Sequence, residues 1–261
     1  MKNIILSVLL IVLVACKQSK ATKIEDVQST KVEVKNYPET ISKVFKTHGG
    51  LNVWNTMKTL SFAIPKPDGK EITTVNLKNR KSRIDMSKHI LGFDGKDVWL
   101  HKKDTIGYNG DAKFYYNLMF YFYAMPFVLA DNGIHYETAK ALEFDGKQYP
   151  GIKISYESGV GESSDDEYIM YYNPETYQMA WLGYTVTYFS KEKSKDFHYI
   201  KYNDWQRING VLLPKTIQWY NVVNGKITDK QNDVDFVDVM LSKENPDSTI
   251  FAKPEKAEII E

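Results

Sequence analysis

The chain has 261 residues, 43% of them apolar and 26% charged, too apolar for a disordered polymer and long enough to bury one sizeable core. Lys and Arg number 34 against 33 Asp and Glu, a formal charge of +1, so no field draws phosphate and no nucleic acid partner is expected. A single cysteine excludes intrachain disulfides and Cys-based zinc clusters, while 15 Gly, 9 Pro and 18 Tyr favour many turns and half-buried strands.

The chain opens with Lys2 and then Ile4 to Ala15, apolar apart from Ser7. Twelve helical residues cover roughly 18 Å, short of the roughly 30 Å hydrocarbon core, so residues 1–15 read as an export signal and not a span. The tetrad Leu13-Val14-Ala15-Cys16 resembles the lipobox of bacterial lipoproteins. That resemblance implies cleavage before Cys16, acylation of its thiol and amine, and stable membrane anchoring, since each buried CH₂ contributes about 0.8 kcal/mol. Residues 16–37 lack a sustained apolar period and form a solvated tether. Lys17-Gln18-Ser19-Lys20 stands where such lipoproteins carry an Asp for inner-membrane retention or an acidic run for surface export. The resemblance therefore implies an outer-membrane anchor facing the periplasm.

From Pro38 the pattern is helical, with Ile41, Val44, Phe45 and His48 at i, i+3, i+4, i+7 and Gly49-Gly50 as the stop. Leu51, Trp54 and Met57 suit a short second helix. After Leu60 come short alternating runs separated by Pro67-Asp68-Gly69, Asp94-Gly95, Asn109-Gly110, Asp145-Gly146, Asn173-Pro174, Asn209-Gly210 and Asn224-Gly225. Several of these are hairpin signals and predict an antiparallel meander in one sheet. Ile152, Ile154 and Tyr156 share one face, as do Val211, Leu213, Ile217 and Trp219. The apolar parity switches between Val234, Phe236 and Val237, Val239, Leu241, which predicts a bulged, bent strand in a curled sheet.

Ala112 to Ala130 interrupts the meander. It is apolar on nearly every side and too long for a strand; Asn109 or Asp111 can cap it, Pro126 ends or kinks it, and Asp131-Asn132-Gly133 closes it. A helix apolar all round must be surrounded, and a curled sheet can surround it; a membrane-dipping segment is the alternative, disfavoured by the interrupting Pro126 and the modest length.

Chemical motifs are sparse. The five histidines include no i, i+4 pair, and Gly159-Val160-Gly161-Glu162-Ser163 displaces its serine from the centre of a nucleophile elbow. No catalytic residue and no cofactor is expected. Glu162, Asp165 and Asp166, with Glu167, crowd six residues and form a weak Ca²⁺ candidate without EF-hand spacing. More informative are the aromatics: Trp54, Trp99, Trp181, Trp205 and Trp219 are scattered over the elements, and eight aromatics, among them Phe120 and Phe127, lie between Phe114 and Phe127. They either fill a core or line the cavity of a concave sheet around an apolar ligand.

The opening from Ile41 to Gly50, with Trp54 and Leu60 following, resembles LolA-like and LppX-like periplasmic lipoproteins. The stretches 125–131, 142–147 and 161–168 are similar to a group of Bacteroidetes outer-membrane lipoproteins associated with that superfamily. The resemblance implies a mainly β fold over residues 38–245: a single curled antiparallel sheet of roughly eleven strands, an incomplete barrel with helices plugging its concave side. A polar tail, 246–261, follows. It also implies a non-enzymatic, lipid-anchored protein that holds or transfers a lipid or acyl chain, with Ala112–Ala130 as a lid and Trp54, Trp99, Phe120, Phe127, Trp181, Trp205 and Trp219 lining the cavity. A carboxylate-dependent hydrolase of envelope glycans or lipids, and an assembly lipoprotein with an envelope protein partner, are the alternatives.

Overall fold

The computed structural model describes residues 36–157, 165–190 and 192–261. The export signal, Cys16, nearly all of the tether, the displaced-serine motif and Glu162 lie outside the described residues.

Helix α1, Glu39–Thr47, starts after Pro38 and buries Ile41, Val44 and Phe45, the face its spacing predicts. Gly49 and Gly50 have φ of +109° and +86°, and a β-carbon on Gly49 would collide with the carbonyl oxygen of Gly210. Only glycine both turns the chain here and lets the helix end approach that hairpin, where the Leu212 N–H donates to the His48 carbonyl at 2.8 Å. Helix α2, Leu51–Trp54, follows and buries Trp54.

Among the described residues fourteen strands form two antiparallel sheets. The first joins β1 (Thr59–Lys66), β2 (Gly69–Asn76), β3 (Ser82–Asp85), β4 (His89–Phe93) and β5 (Val98–Lys102) with β13 (Val237–Ser242) on one edge and β14 (Glu258–Ile259) on the other. The second runs in chain order from β6 (Ile134–Phe144) through β7 (Lys147–Tyr156), β8 (Tyr168–Tyr172), β9 (Met179–Tyr184), β10 (His198–Ile208) and β11 (Val211–Val223) to β12 (Lys226–Asp235). Three dipeptides, Asp145-Gly146, Asn209-Gly210 and Asn224-Gly225, have positive φ at both residues, as the primed hairpins that join twisted strands require. Asn109-Gly110 instead belongs to the chain between β5 and the next helix.

The expectation of a single sheet is corrected by this pairing, and the reason lies at the parity switch. β12 pairs with β11 up to Val234 and Asp235, while β13 pairs with β1. Between them Phe236 is buried and donates its N–H to the Lys215 carbonyl at 2.8 Å. Asp238 takes a φ of +51°. One bent stretch of chain thus leaves one sheet for the other, so the bend predicted from parity is a sheet-to-sheet crossing.

The segment between the sheets is not one helix but three pieces: α3 (Ala112–Tyr115), α4 (Leu118–Tyr123) and a 3-10 turn, Phe127–Ala130. Asp111 is the cap that forms, its carboxylate accepting the Phe114 N–H at 2.8 Å. The pieces are surrounded as their composition demands. Tyr123 packs at 4.4 Å from Phe62 of the first sheet and 4.3 Å from Phe236, while Phe122 packs at 5.8 Å from Trp219 of the second.

Residues 246–261 also depart from the expected tail. They form a 3-10 turn, Ser248–Phe251, and β14, which pairs with β5. Phe251 is buried and its carbonyl accepts the Trp99 indole N–H at 3.1 Å. Two strand residues and one buried aromatic leave no periodicity to read in a sequence.

Candidate functional site

The second sheet presents alternate side chains to the buried segment. Ile152, Ile154, Met170, Leu182, Ile200 and Ile217 form an aliphatic floor under α4 and the 3-10 turn. Along the same strands lie Tyr156, Tyr168, Tyr184 and Trp219, all half-buried. Here the aromatics and the buried segment part, leaving a cavity of about 350 Å³, within the usual range of small-molecule sites. Phe122, Met125 and Val128 close it from the segment, Leu118 and Tyr121 overhang it, and Thr185, Val186 and Tyr188 border it from the chain after β9.

The aromatic wall is ordered by its own contacts. The Trp219 indole N–H donates to the Tyr184 hydroxyl at 3.0 Å. Tyr184 stacks on Tyr168 at 6.4 Å, and Tyr168 meets Tyr156 edge-on at 5.7 Å. Burial pushes the phenols of Tyr156 and Tyr168 well up from their ordinary value; their mutual proximity adds to the rise at Tyr156, and the Asp166 charge adds to it at Tyr168. Burial raises Tyr184 too, against the hydrogen bond from Trp219. All three hydroxyls therefore remain protonated donors at neutral pH.

The segment over the cavity is tied down on both sides. At its start the Tyr115 hydroxyl donates to buried Glu71 at 2.7 Å. In its middle the Tyr202 hydroxyl donates to the Phe122 carbonyl at 2.9 Å. At its end Arg80 grips both Asp131 oxygens, at 2.6 and 2.7 Å, and the hydroxyls of Tyr37 and Tyr136 donate to the carbonyls of Ala130 and Leu129.

Of the seven aromatics expected at a cavity wall, Trp219 lines this one. Trp54 stacks on Phe127 at 4.6 Å, and the pair borders a smaller cavity of about 140 Å³ beside Arg80. Phe120 is buried with the Arg80 guanidinium 5.1 Å above its ring. Trp205 sits 4.6 Å from His48. Trp99 is buried in a separate cluster with Ile90 and Ala257. Trp181 lies among Phe144, Tyr220 and Lys201, on the strand parity opposite to Leu182 and Tyr184. For these residues core packing, the plainer reading, describes the surroundings. Sequence reasoning missed Tyr156, Tyr168, Tyr184 and Phe122; parity with Ile152 and Ile154 does place Tyr156 on the inner face, but nothing local says that the face opens there.

In the acidic stretch, Asp165 is exposed and Glu167 pairs with Lys153 at 2.7 Å. Asp166 is turned inward and accepts the Thr187 N–H at 2.6 Å and its hydroxyl at 2.8 Å. Among the described residues no three His, Cys, Asp or Glu side chains gather as a metal would need.

Fold and cavity together define a mainly β protein, two seven-stranded antiparallel sheets with few helices, carrying a tyrosine-walled apolar site. Residues 87–235, more than half of the chain, match the model of a family of unknown function, DUF6503, and the chain belongs to that family. No curated protein matches it. Among solved structures, a LolA superfamily protein from Nitrosomonas europaea aligns over 80% of this chain and 96% of its own, at 10% identity and a TM-score of 0.46. An outer membrane lipoprotein-sorting protein domain from Vibrio parahaemolyticus aligns over 74% and 88%, at 7% identity and a TM-score of 0.40. The lipoprotein LppX from Mycobacterium tuberculosis aligns over 57% and 88%, at 9% identity and a TM-score of 0.26. No helix among the described residues is long and apolar enough to cross a membrane.

Proposed function

We propose that this protein is a non-enzymatic binding protein of the cell envelope, anchored through lipidated Cys16 to the outer membrane on its periplasmic side, that holds an apolar ligand in the cavity under the α3–α4 segment. The observation that carries the reading is the cavity itself: about 350 Å³ of space walled by Phe122, Met125, Val128, Tyr168, Tyr184 and Trp219. This space opens to solvent and leaves apolar wall in contact with water, which is unfavourable. A lipid or acyl chain would take that wall out of water.

In this reading the two sheets, joined by the β12–β13 crossing, serve as one half-open shell, and the segment Ala112–Ala130 is its lid. A ligand and the half-buried side chains of Leu118 and Tyr121 compete for the same wall, so occupancy shifts the segment outward only as far as the ligand binds the open form better. The test is gentle purification of the full chain followed by native mass spectrometry and organic extraction. A stoichiometric lipid species is expected. Its absence, with no uptake of added lipid, contradicts the proposal, and one stoichiometric protein partner in its place supports an assembly role instead.

A further inference from the structure

The cavity opens at one end of the second sheet, and exposed apolar side chains gather at that end. The pairing defines it: Ile134 faces Tyr156, Tyr168 faces Tyr184, and Tyr184 faces His198 at the start of β10. The β9–β10 connection carries Phe189, 66% exposed, with its ring 5.0 Å from Phe114 and 5.1 Å from Tyr188. Phe114 and Tyr188 themselves line the cavity, so Phe189 continues the apolar wall outward into water. Tyr220 already faces Tyr199, beside the start of β10, so the β11–β12 hairpin projects past the same end; its tip carries Val223, 55% exposed.

The chain that leads to Cys16 leaves from this end too. Tyr37 meets Tyr136 edge-on at 6.3 Å and donates its hydroxyl to the Ala130 carbonyl at 2.9 Å, and Tyr136 belongs to the first turn of pairing in β6, opposite Ile154. Residues 17–36, twenty in all, connect it to Cys16 and span at most roughly 70 Å when extended. An anchor at Cys16 thus holds the domain by the end at which the cavity opens, and a tether this short keeps that end concentrated at the bilayer, where a weak apolar contact is populated. Among the described residues after Phe189, the exposed Glu192, Lys193, Lys195 and Asp196 carry no net charge between them, so the attraction is for apolar depth and not for surface charge. A bilayer supplies that depth beneath a polar boundary, where aromatic rings settle and lysine stems reach back to water.

We propose that this end of the second sheet docks on the lipid bilayer, with Phe189 inserted below the headgroups and the cavity mouth turned to the membrane, so that an apolar ligand passes between bilayer and cavity without crossing water. The docking rests on the membrane anchoring proposed above, not on the identity of the ligand. The experiment places the full chain, expressed with its own N-terminal residues, in phosphatidylcholine vesicles whose acyl chains carry bromine near the headgroups, and compares Phe189→Trp with Met240→Trp. Met240 is 50% exposed on β13, beside the opposite end of the sheet, where Asn209 of the β10–β11 turn donates to the Leu241 carbonyl at 2.6 Å. Subtracting the native emission isolates the added indole. In Phe189→Trp it is expected to shift to the blue and to be quenched at least about threefold, as for a ring sunk roughly 5–10 Å into the boundary, while in Met240→Trp it stays unquenched. The quenching is expected to persist in about 1 M salt, where the screening length is about 3 Å. Equal quenching at the two positions, or none at Phe189→Trp in a chain that floats with the vesicles, overturns the docking and leaves the anchor intact. A blue-shifted indole that bromine does not reach assigns Phe189 to a protein contact and overturns it as well, and quenching lost in salt overturns the apolar basis of the contact. A chain that stays in the aqueous fraction overturns the anchoring, and the docking with it.

Discussion

His48 shows how one side chain ties α1 to the rest of the fold. It is fully buried, its Nδ1–H donates to the Val44 carbonyl at 2.9 Å, its ring lies 4.6 Å from Trp205, and its Nε2 is buried without a partner. Burial lowers its pKa from 6.5 to about 4, against the hydrogen bond to Val44. Because the folded value lies below the unfolded one, the unfolded chain takes the proton first. The contribution of neutral His48 is therefore complete above pH 6.5 and is lost as the pH falls from 6.5 toward 4, a total of roughly 3 kcal/mol. Urea unfolding at pH 7 and pH 4.5 is expected to show a steeper loss for the native chain than for His48→Gln; equal losses contradict this. Gly49 is a second such position. Gly49→Ala combines a φ of +109° with a backbone collision at Gly210, and is expected to cost at least about 2 kcal/mol in the same measurement. Both residues were legible in the sequence, His48 by its helical spacing and Gly49 as a helix stop, but the pressure of the Gly210 carbonyl was not, because it joins positions far apart in the chain.

At the scale of elements, the lid is the most instructive case. Composition alone shows that 112–130 must be enclosed, since eight aromatics cannot face water on all sides. It does not show where the helix breaks, because the breaks satisfy two sheets at once: Tyr123 turns to Phe62 and Phe122 turns to Trp219. The ties at the ends differ in exposure. Arg80 and Asp131 are about a third exposed, so their pairing contributes modestly to global stability, yet it fixes the chain at the lid's end. Arg80→Ala is expected to raise amide hydrogen exchange across 118–131 with little change in the unfolding midpoint; unchanged exchange there contradicts the tie. At the cavity, Val186→Trp fills the space from a half-buried position on the chain after β9. It is expected to weaken lipid binding by tenfold or more while the circular dichroism spectrum is kept, and unchanged affinity would count against this cavity.

Across the whole molecule, local signals and long-range geometry separate cleanly. The hairpin dipeptides and the period-two faces gave most strands of the second sheet, and the parity switch marked the place where the chain changes sheets. The closing contribution of the C-terminal residues left no pattern, because it depends on Phe251 meeting Trp99 across 152 positions. Phe251→Ala is expected to cost about 3–5 kcal/mol, measured as a shift in the denaturant midpoint, where a dispensable tail would show none. The site was legible in kind, an aromatic-walled concavity, but not in address: the tryptophans most visible in the sequence mostly pack the core, and tyrosines on three neighbouring strands make the wall. The central claim, that an apolar ligand occupies the space between the α4 segment and the second sheet, is tested most directly by locating one. In crystals of the chain grown with a lipid bearing a dibromostearoyl chain, anomalous scattering should place bromine among Phe122, Tyr184 and Trp219. Bromine found only elsewhere, with those side chains closed on one another, contradicts it.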